Sequence, residues 1–422
     1  MIGFIVTILL FPLIGWSLGR RSIGEAFLLG IGITGSVLFI AGVVHVPLVI
    51  GMMLLGVWGV GSGVLEIKRR RSLRSDLPLP TPYPPLPTIL MILPLVALTF
   101  AAAITPLNDF DGRAFWALKA KGIAHERSID GPFFHGGTHD PRNEYPVLIP
   151  LDGAVTLSLA HSLDDRHLRW FYLGILAALA LLVRERIGRL ASPAAGAWCA
   201  ALLVWIPQFA VEPEGGALSA YNDIAIAAFA AGAFFELIDQ ERRSEIRFGL
   251  WLAFLVLTKS EGLPLALVFL GIGAFVLRKR ILTPAVIVVI ATAALIIWRL
   301  RIPAGDEEDV FRLLPTIPEK LHRIGVAVAA FPRHMLLMPR WGIFWIAVIV
   351  AAIVATRIDR RAWLAIAAIA SILAVYTAVY VTTAWIPSEL IAVTADRLLM
   401  HVIAPSLFLV ALATRDKTKL SS

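Results

Sequence analysis

The sequence has a single cysteine, Cys199, which lies within an apolar segment. One cysteine excludes a disulfide framework, and in apolar surroundings the thiol is expected to be a small core side chain. Charged residues are also scarce, at 16% of 422 residues, whereas 58% of the residues are hydrophobic. This balance excludes an ordinary soluble globular protein and indicates a chain with several membrane spans.

Familiar cofactor motifs are missing as well. The chain contains no Walker loop, Rossmann fingerprint, HExxH sequence or CxxC pair. Its net charge of +8 would suit a nucleic-acid partner, but the basic residues lie in short loops between apolar segments. Membrane topology explains such loops better, so the lipid bilayer is the expected partner and nucleic acid is not.

Thirteen apolar segments have about the length at which a helix crosses a bilayer, roughly 20 residues. The predicted fold class is an all-α polytopic membrane protein with about 13 transmembrane helices. The first segment has no small-residue cleavage pattern and is expected to be a retained span. The predicted spans cover residues 3–19, 26–44, 47–66, 88–105, 168–183, 193–211, 222–238, 246–259, 262–277, 283–298, 341–356, 362–383 and 398–413.

Basic residues distinguish the two faces of the predicted bundle. Of the 38 Lys and Arg, 22 lie in loops that share one face if the N-terminus is outside and the C-terminus inside. The other face is then expected to point to the periplasm or exterior of a bacterial inner (plasma) membrane. The basic loops are 20–21, 68–74, 184–189, 240–247, 278–280, 357–361 and 415–419.

Residues 147–162 are apolar but short, and they include Pro150 and Asp152. A crossing here would move every later basic loop to the opposite face, so the charge rule favours a re-entrant or surface helix on the outer side. Long outer segments usually carry function. The predicted outer segments are 107–167, 212–221, 299–340 and 384–397.

The domain prediction follows from the spans and from a proline-rich stretch, which has the composition of an extended linker. The predicted units are three N-terminal transmembrane helices (1–73), an inner linker (74–87), a transmembrane core with the outer loop 107–167 (88–298), a second outer loop (299–340), and C-terminal transmembrane helices with an inner tail (341–422).

Asp109 and Asp111 follow an apolar segment that ends at Pro106, in the sequence NDFDGRAFWALKAK. Two carboxylates at the mouth of a membrane helix are costly unless they have a task or a partner. One interpretation is a general base or a cation site at the outer surface. The other is a helix cap that pairs with Lys119 or Lys121. Their position, their pairing and the aromatic residues nearby favour function.

Two more polar groups lie at the predicted outer ends of spans. In HDPRNEYPVLIPL, the residues Arg142, Glu144 and Tyr145 either complete a wall of a site or belong to a solvated loop. In SAYNDIAI, Asn222 and Asp223 suit a helix cap at least as well as a site.

The last two groups are cationic. Lys259 and Glu261, in LTKSEG, form either an internal salt bridge or a cation presented to an anionic ligand. Arg397 and His401, in TADRLLMH, are four residues apart and therefore share a helix face. Arg397 either extends to lipid headgroups or faces a lipid-linked phosphate.

The order of these pieces resembles the GT-C superfamily of integral-membrane glycosyltransferases, and within it bacterial members related to the protein O-mannosyltransferase and aminoarabinose transferase branch. The resemblance covers residues 88–413. An acidic outer loop precedes FWALKAK and is followed by EYPVLIPL, YND, TKSEG and DRLLMHVIAP. It implies a GT-C-like catalytic core, a polyprenyl-phosphate-linked sugar as donor, a glycan, lipid or protein as acceptor, and chemistry at the outer membrane face.

By position, Asp111 matches the first-loop aspartate of that family, and Asp109 is an additional neighbour. Lys259 and Arg397 match positions where basic residues approach the donor phosphate, and His401 is assigned with them. The resemblance further implies substrate-binding roles for Trp116, Lys119, Arg142, Glu144, Tyr145, Asn222, Asp223 and Glu261.

The chemistry of glycosyl transfer suits these residue types. Displacement at an anomeric carbon needs a base for the acceptor hydroxyl, and a carboxylate supplies it. The departing phosphate gains charge in the transition state, where Lys and Arg stabilise it. Direct displacement with one base predicts inversion. The sequence identifies no certain cofactor, and a divalent ion would fit the reaction, although no ligand set has metal spacing.

Two other classes of function compete with this prediction. A secondary transporter would fit the number of spans, but the sequence has no matched pair of Gly/Pro-broken spans in its two halves. A polysaccharide ligase or polymerase would use a lipid-linked oligosaccharide, and residues 299–340 would supply its late outer loop.

The topology prediction is tested by labelling single cysteines from the outer side. Ser128→Cys lies in a predicted outer segment and should be modified, whereas Ser244→Cys lies in a predicted inner loop and should be spared. A chain with Cys199 replaced provides the background. The reverse pattern would contradict the predicted orientation of every site residue.

Overall fold

A computed structural model gives the structure of the protein, and the described part of the chain is entirely helical with turns and loops, without a β-strand. The predicted all-α class is therefore confirmed for this part. Residues 74–84 of the proline-rich linker, residues 303–316 of the loop 299–340 and Arg142 lie outside it. The described residues are 2–18, 22–73, 85–135, 143–302 and 317–415.

Each predicted span coincides with one or more helices. The α-helices are Ile2–Trp16, Ile23–Val43, Leu48–Leu73, Pro85–Ile104, Leu118–Glu126, Pro132–His135, Leu148–Ala160, Asp165–Leu190, Pro193–Trp205, Pro207–Ala210, Asp223–Ile238, Glu245–Thr258, Gly262–Leu277, Leu282–Arg299, Ile317–Lys320, Ile324–Met335, Met338–Trp341, Phe344–Ala355, Arg361–Thr382, Pro387–Met400 and Ile403–Ala413. The other helical elements are a π-helix at Gly112–Ala117 and 3₁₀ helices at Arg278–Ile281 and Leu321–Arg323.

Several of these helices suit a membrane. In the described part of the chain, five helical segments are long and apolar enough to cross one, or six if a bent helix pair counts as one span. This supports a membrane-embedded protein, while the number of about 13 spans stays a prediction. The five segments are Ile23–Val43, Leu48–Leu65, Pro85–Ile104, Gly262–Arg299 and Arg361–Thr382.

Proline breaks two of the predicted spans. The span predicted over 193–211 stops at Trp205, because Ile206 precedes Pro207 and takes an extended conformation with ψ of 118°. The span predicted over 398–413 is a bent pair, Pro387–Met400 and Ile403–Ala413, at an angle of 52°. Pro405 has no N–H to donate to the carbonyl of His401, four residues earlier. The first helix therefore ends at Met400, just before that carbonyl.

The apolar helix Leu148–Ala160 lies inside the bundle. Its residues 148–157 are all buried, and it packs against the helices Ile2–Trp16, Ile23–Val43 and Leu118–Glu126. The choice between a re-entrant helix and a helix at the membrane surface stays a prediction.

A buried ionic cluster joins the N-terminal helices to the rest of the chain. The fully buried guanidinium of Arg186 contacts Glu25 at 2.6 Å, Glu236 at 2.9 Å and Asp239 at 3.0 Å. Glu25 lies in the first turn of Ile23–Val43, whereas the other carboxylates lie at the end of Asp223–Ile238. The predicted N-terminal unit is thus packed into one bundle with the core.

Basic side chains close the carboxyl ends of several helices. The last carbonyls of a helix have no partner within it, and a cation there also complements the helix dipole. Most of these donors come from a distant part of the chain, whereas Arg243 lies six residues beyond Leu237. The pairs are Arg169 with the Thr105 and Pro106 carbonyls, Arg301 with Val43, Lys320 with Thr382, Arg323 with Thr383, Arg243 with Leu237, and Arg361 with Leu190.

We expect Arg186→Gln to destabilise the protein severely, because three buried carboxylates would lose their shared counter-ion. Breaking such a pair typically costs about 3–5 kcal/mol. Thermal unfolding in detergent measures the loss. Arg242→Gln is the matched control, since Arg242 is partly exposed and lies 3.9 Å from Glu185. Equal midpoints for both variants would contradict the role assigned to the Arg186 cluster.

Candidate functional site

Asp223 is the centre of a second ionic cluster, at the opposite end of the helix Asp223–Ile238 from Arg186. Its carboxylate is fully buried and begins the helix. Lys259 Nζ contacts Oδ1 at 3.0 Å, and Arg397 donates to Oδ2 from Nε at 3.1 Å. His401 Nε2 lies 3.6 Å from Oδ1. A buried carboxylate requires this compensation, so Asp223 draws three distant segments together.

Arg397 connects Asp223 to Asp111. Its Nη2 lies 3.0 Å from Asp223 Oδ2, while its Nη1 donates to Asp111 Oδ2 at 3.1 Å. The guanidinium also lies over the ring of Tyr221, 4.5 Å from its centroid. The Tyr221 hydroxyl accepts the Asp111 backbone N–H at 3.3 Å. The guanidinium of Arg397 is therefore held by two carboxylates around its edge and by an aromatic ring on its face.

A tight turn positions Lys259. The helix Glu245–Thr258 ends at Thr258, and Lys259 is extended, with φ of −160°. Gly262 then packs against the chain, where an added Cβ would lie 1.8 Å from the Leu255 carbonyl oxygen. Within this turn Lys259 Nζ contacts Glu261 Oε1 at 3.0 Å. The internal salt bridge that the sequence allowed is thus present, beside the contact with Asp223.

The residues next to Asp223 are held by hydroxyl groups. The Tyr172 hydroxyl donates to Asn222 Oδ1 at 2.6 Å, and Asn222 Nδ2 donates to the Thr258 carbonyl at 3.2 Å. Asn222 makes no side-chain capping bond, so the cap predicted there is not found. The hydroxyl of Tyr376 lies 2.5 Å from His401 Nδ1 and fixes that ring.

The capping role considered for Asp111 is also not found. Asp111 is helical and makes no side-chain capping bond at Gly112–Ala117. Lys121 pairs with Asp165 at 2.5 Å instead. Gly112 lies so close to the segment 212–221 that an added Cβ would stand 1.8 Å from the Ser219 carbonyl oxygen. This close approach brings Asp111 to Tyr221 and Arg397.

Trp116, Lys119 and Tyr145 form a neighbouring aromatic group. The two rings lie 6.2 Å apart, and Lys119 Nζ is 5.6 Å from each ring centroid. Arg299 links this wall to the Lys259 turn, because it donates to the Glu144 carbonyl and to Ser260 Oγ, both at 3.0 Å.

Asp111, Arg397, Asp223, Lys259 and Glu261 thus form one ionic network, and Arg299 connects the aromatic group to it through Ser260 and the Glu144 carbonyl. Of the predicted site residues, Arg142 lies outside the described residues and Asp109 stands beside the network. Burial raises the pKa of Asp109 above its ordinary value of 3.8, against the attraction of Arg169. Asp109 therefore takes up a proton at a higher pH than an ordinary aspartate.

Sequence reasoning missed a second group beside Arg397. Asp396 is buried and accepts from Trp341 Nε1 at 2.7 Å and from Arg340 Nη1 at 3.0 Å. His334 Nδ1 lies 2.6 Å from the same carboxylate. Arg340 also approaches Glu214 at 3.8 Å, and burial raises the pKa of Glu214. The available signal was the acidic sequence VEPEGG in the predicted outer segment 212–221.

The network carries an excess of negative charge. Asp111, Asp223 and Glu261 provide three carboxylates, whereas Lys259 and Arg397 provide two cations. No group of three or more His, Cys, Asp or Glu side chains suited to a metal ion occurs in the part of the chain that the structure describes. A role for a divalent ion stays a prediction.

Comparison of the chain with family models, with curated proteins and with solved structures found no match.

Gly112→Ala tests the close approach that positions Asp111. We expect a clear loss of thermal stability and of any activity, because the Ser219 backbone has to move and carries Tyr221 with it. Gly325→Ala is the control, since an added Cβ there meets nothing within 4 Å. Helix propensity should leave that variant equal or more stable by about 0.5–1 kcal/mol. Unchanged melting of Gly112→Ala would contradict the packing described.

Proposed function

We propose that this protein is a membrane glycosyltransferase that moves a sugar from a polyprenyl-phosphate donor to an acceptor hydroxyl, with inversion at the anomeric carbon. The observation that carries the proposal is the ionic network of Asp111, Arg397, Asp223, Lys259 and Glu261. It unites four distant segments and includes both residue types that the reaction needs, namely carboxylates and cations.

In the proposed reaction, Asp111 accepts the proton of the acceptor hydroxyl while the acceptor oxygen forms a bond to the anomeric carbon. The bond from that carbon to the phosphate oxygen breaks, and its electron pair leaves with the polyprenyl phosphate. Arg397 and Lys259 stabilise the charge that develops on the departing phosphate. Attack opposite to the leaving group gives inversion.

Asp111 is the preferred base because it lies in the network beside Arg397, where a donor phosphate would bind. Asp109 is half-buried with a raised pKa, and the cation that attracts its charge is Arg169 instead of Arg397. We therefore assign Asp109 a supporting role, and a comparison of Asp111→Asn with Asp109→Asn distinguishes the two assignments.

The aromatic group has a defined place in this proposal. Tyr145 is the partly exposed ring of this group, and the buried Trp116 and Lys119 pack beside it, so Tyr145 is the surface offered to a sugar ring. Arg299 ties this wall to the Lys259 turn, so the sugar and phosphate parts of one donor would meet adjoining surfaces.

The proposal is tested with purified protein and radiolabelled polyprenyl-phosphate sugars, by scoring release of the polyprenyl phosphate. We expect Asp111→Asn to lower turnover by about 100- to 10,000-fold, as removal of a general base does. Asn keeps the size of the side chain, so the fold should survive. Asp109→Asn is the matched control and should retain most activity.

Equal thermal stability of the two variants is required for the comparison. If only Asp109→Asn is inactive, the roles of the two aspartates are exchanged. Normal turnover of both variants, or no release of polyprenyl phosphate by the wild-type protein from any donor, would refute the proposed function.

A further inference from the structure

Both cations of the network are already neutralised within the protein. Arg397 is shared between Asp111 and Asp223, and Lys259 is shared between Asp223 and Glu261. Because the carboxylates exceed the cations, an anion that approached this cluster would meet net negative charge. A phosphate therefore binds only if it replaces one of the carboxylates.

The three carboxylates differ in how readily they are replaced. The Asp223 side chain is fully buried and contacts both cations, whereas those of Asp111 and Glu261 are 21% and 29% exposed. Removing a buried partner of two cations is far more costly than moving a carboxylate into water. Asp111 and Glu261 are therefore the replaceable partners, and Asp223 is the fixed one.

The geometry of the guanidinium allows this exchange without moving the arginine. Nε and Nη2 face Asp223, whereas Nη1 faces Asp111. The planar group holds its donors in a fixed fork, so one edge stays on Asp223 while the other nitrogen changes its acceptor. The ring of Tyr221 supports the same plane from one face.

We propose that the donor phosphate replaces Asp111 on Arg397 and Glu261 on Lys259, and that this exchange converts Asp111 from a counter-ion into the catalytic base. This inference rests on the proposed function. In the empty site Asp111 Oδ2 accepts from Arg397 Nη1 at 3.1 Å and is therefore occupied by the guanidinium instead of facing an acceptor hydroxyl. Donor binding therefore activates Asp111 only when the phosphate is in place, which holds the base inactive while the site is empty.

The exchange predicts that removing a carboxylate strengthens phosphate binding. Asp111→Asn should bind farnesyl monophosphate about 10-fold more tightly than the wild-type protein, which corresponds to about 1.4 kcal/mol. Glu261→Gln should show a smaller gain, about 3-fold, because Glu261 is more exposed than Asp111 and is therefore easier for a phosphate to displace in the wild-type protein. At the same time Asp111→Asn should lose turnover, so affinity and rate move in opposite directions.

The measurement is titration of the full-length protein in detergent with farnesyl monophosphate, with farnesol as the uncharged probe. Glu389→Gln is the charge control. It removes the same charge from an exposed position in the first turn of the helix Pro387–Met400. It should bind like the wild-type protein. Equal tightening in Glu389→Gln would show a general charge effect and overturn the exchange.

The remaining outcomes separate this inference from the proposed function. If the wild-type protein binds farnesyl monophosphate but folded Asp111→Asn and Glu261→Gln bind it no more tightly, the exchange is wrong and the phosphate-donor proposal stands. If no variant distinguishes farnesyl monophosphate from farnesol, the phosphate-donor proposal itself is wrong. Should Asp111→Asn fail to fold, Glu261→Gln alone decides the matter by the same criterion.

Discussion

A single buried carboxylate sets the arrangement of the candidate site. Asp223 has no exposure to solvent, and its charge is balanced by Arg397 and Lys259, which lie 174 and 36 residues away along the chain. Leaving such a charge without partners would cost several kcal/mol. The helix Pro387–Met400 and the turn after Thr258 are therefore fixed relative to the helix Asp223–Ile238. Asp111 and Glu261 are positioned in turn by those cations.

The helix Asp223–Ile238 carries a buried ionic cluster at each end. Asp223 belongs to the site, whereas Glu236 belongs to the Arg186 cluster. Thirteen residues at about 1.5 Å each separate the clusters by about 20 Å along the axis. The residues between them are buried and apolar apart from the ends. The ionic clusters at Asp223 and Glu236 therefore fix both ends of this buried helix relative to the helices around it.

The sequence predicts the helical class well because apolar segments and their boundaries are local properties. It also identifies Asp111, Asp223, Lys259 and Arg397 as unusual, since charges at span ends are costly. The sequence does not predict that Arg397 bridges two carboxylates 174 and 286 residues away, because that depends on the packing of the whole chain. For the same reason Arg299, Arg340 and Glu214 escaped notice. Pro405 indicated a helix break near His401, but the continuous apolar composition of residues 398–413 favoured a single span.

The arginines that close helix ends place opposite demands on insertion and on folding. Arg169, Arg301 and Arg323 lie on the face predicted to be translocated, where basic residues are otherwise disfavoured. On that predicted orientation, each of these cations would cross the membrane before the helices pack and offer their carbonyl acceptors, and would oppose the translocation of its own segment. Once the bundle forms, the same residues satisfy carbonyls that the helices leave open. These arginines reduce the difference in positive charge between the two faces of the chain. The predicted orientation therefore depends all the more on the basic loops of the other face.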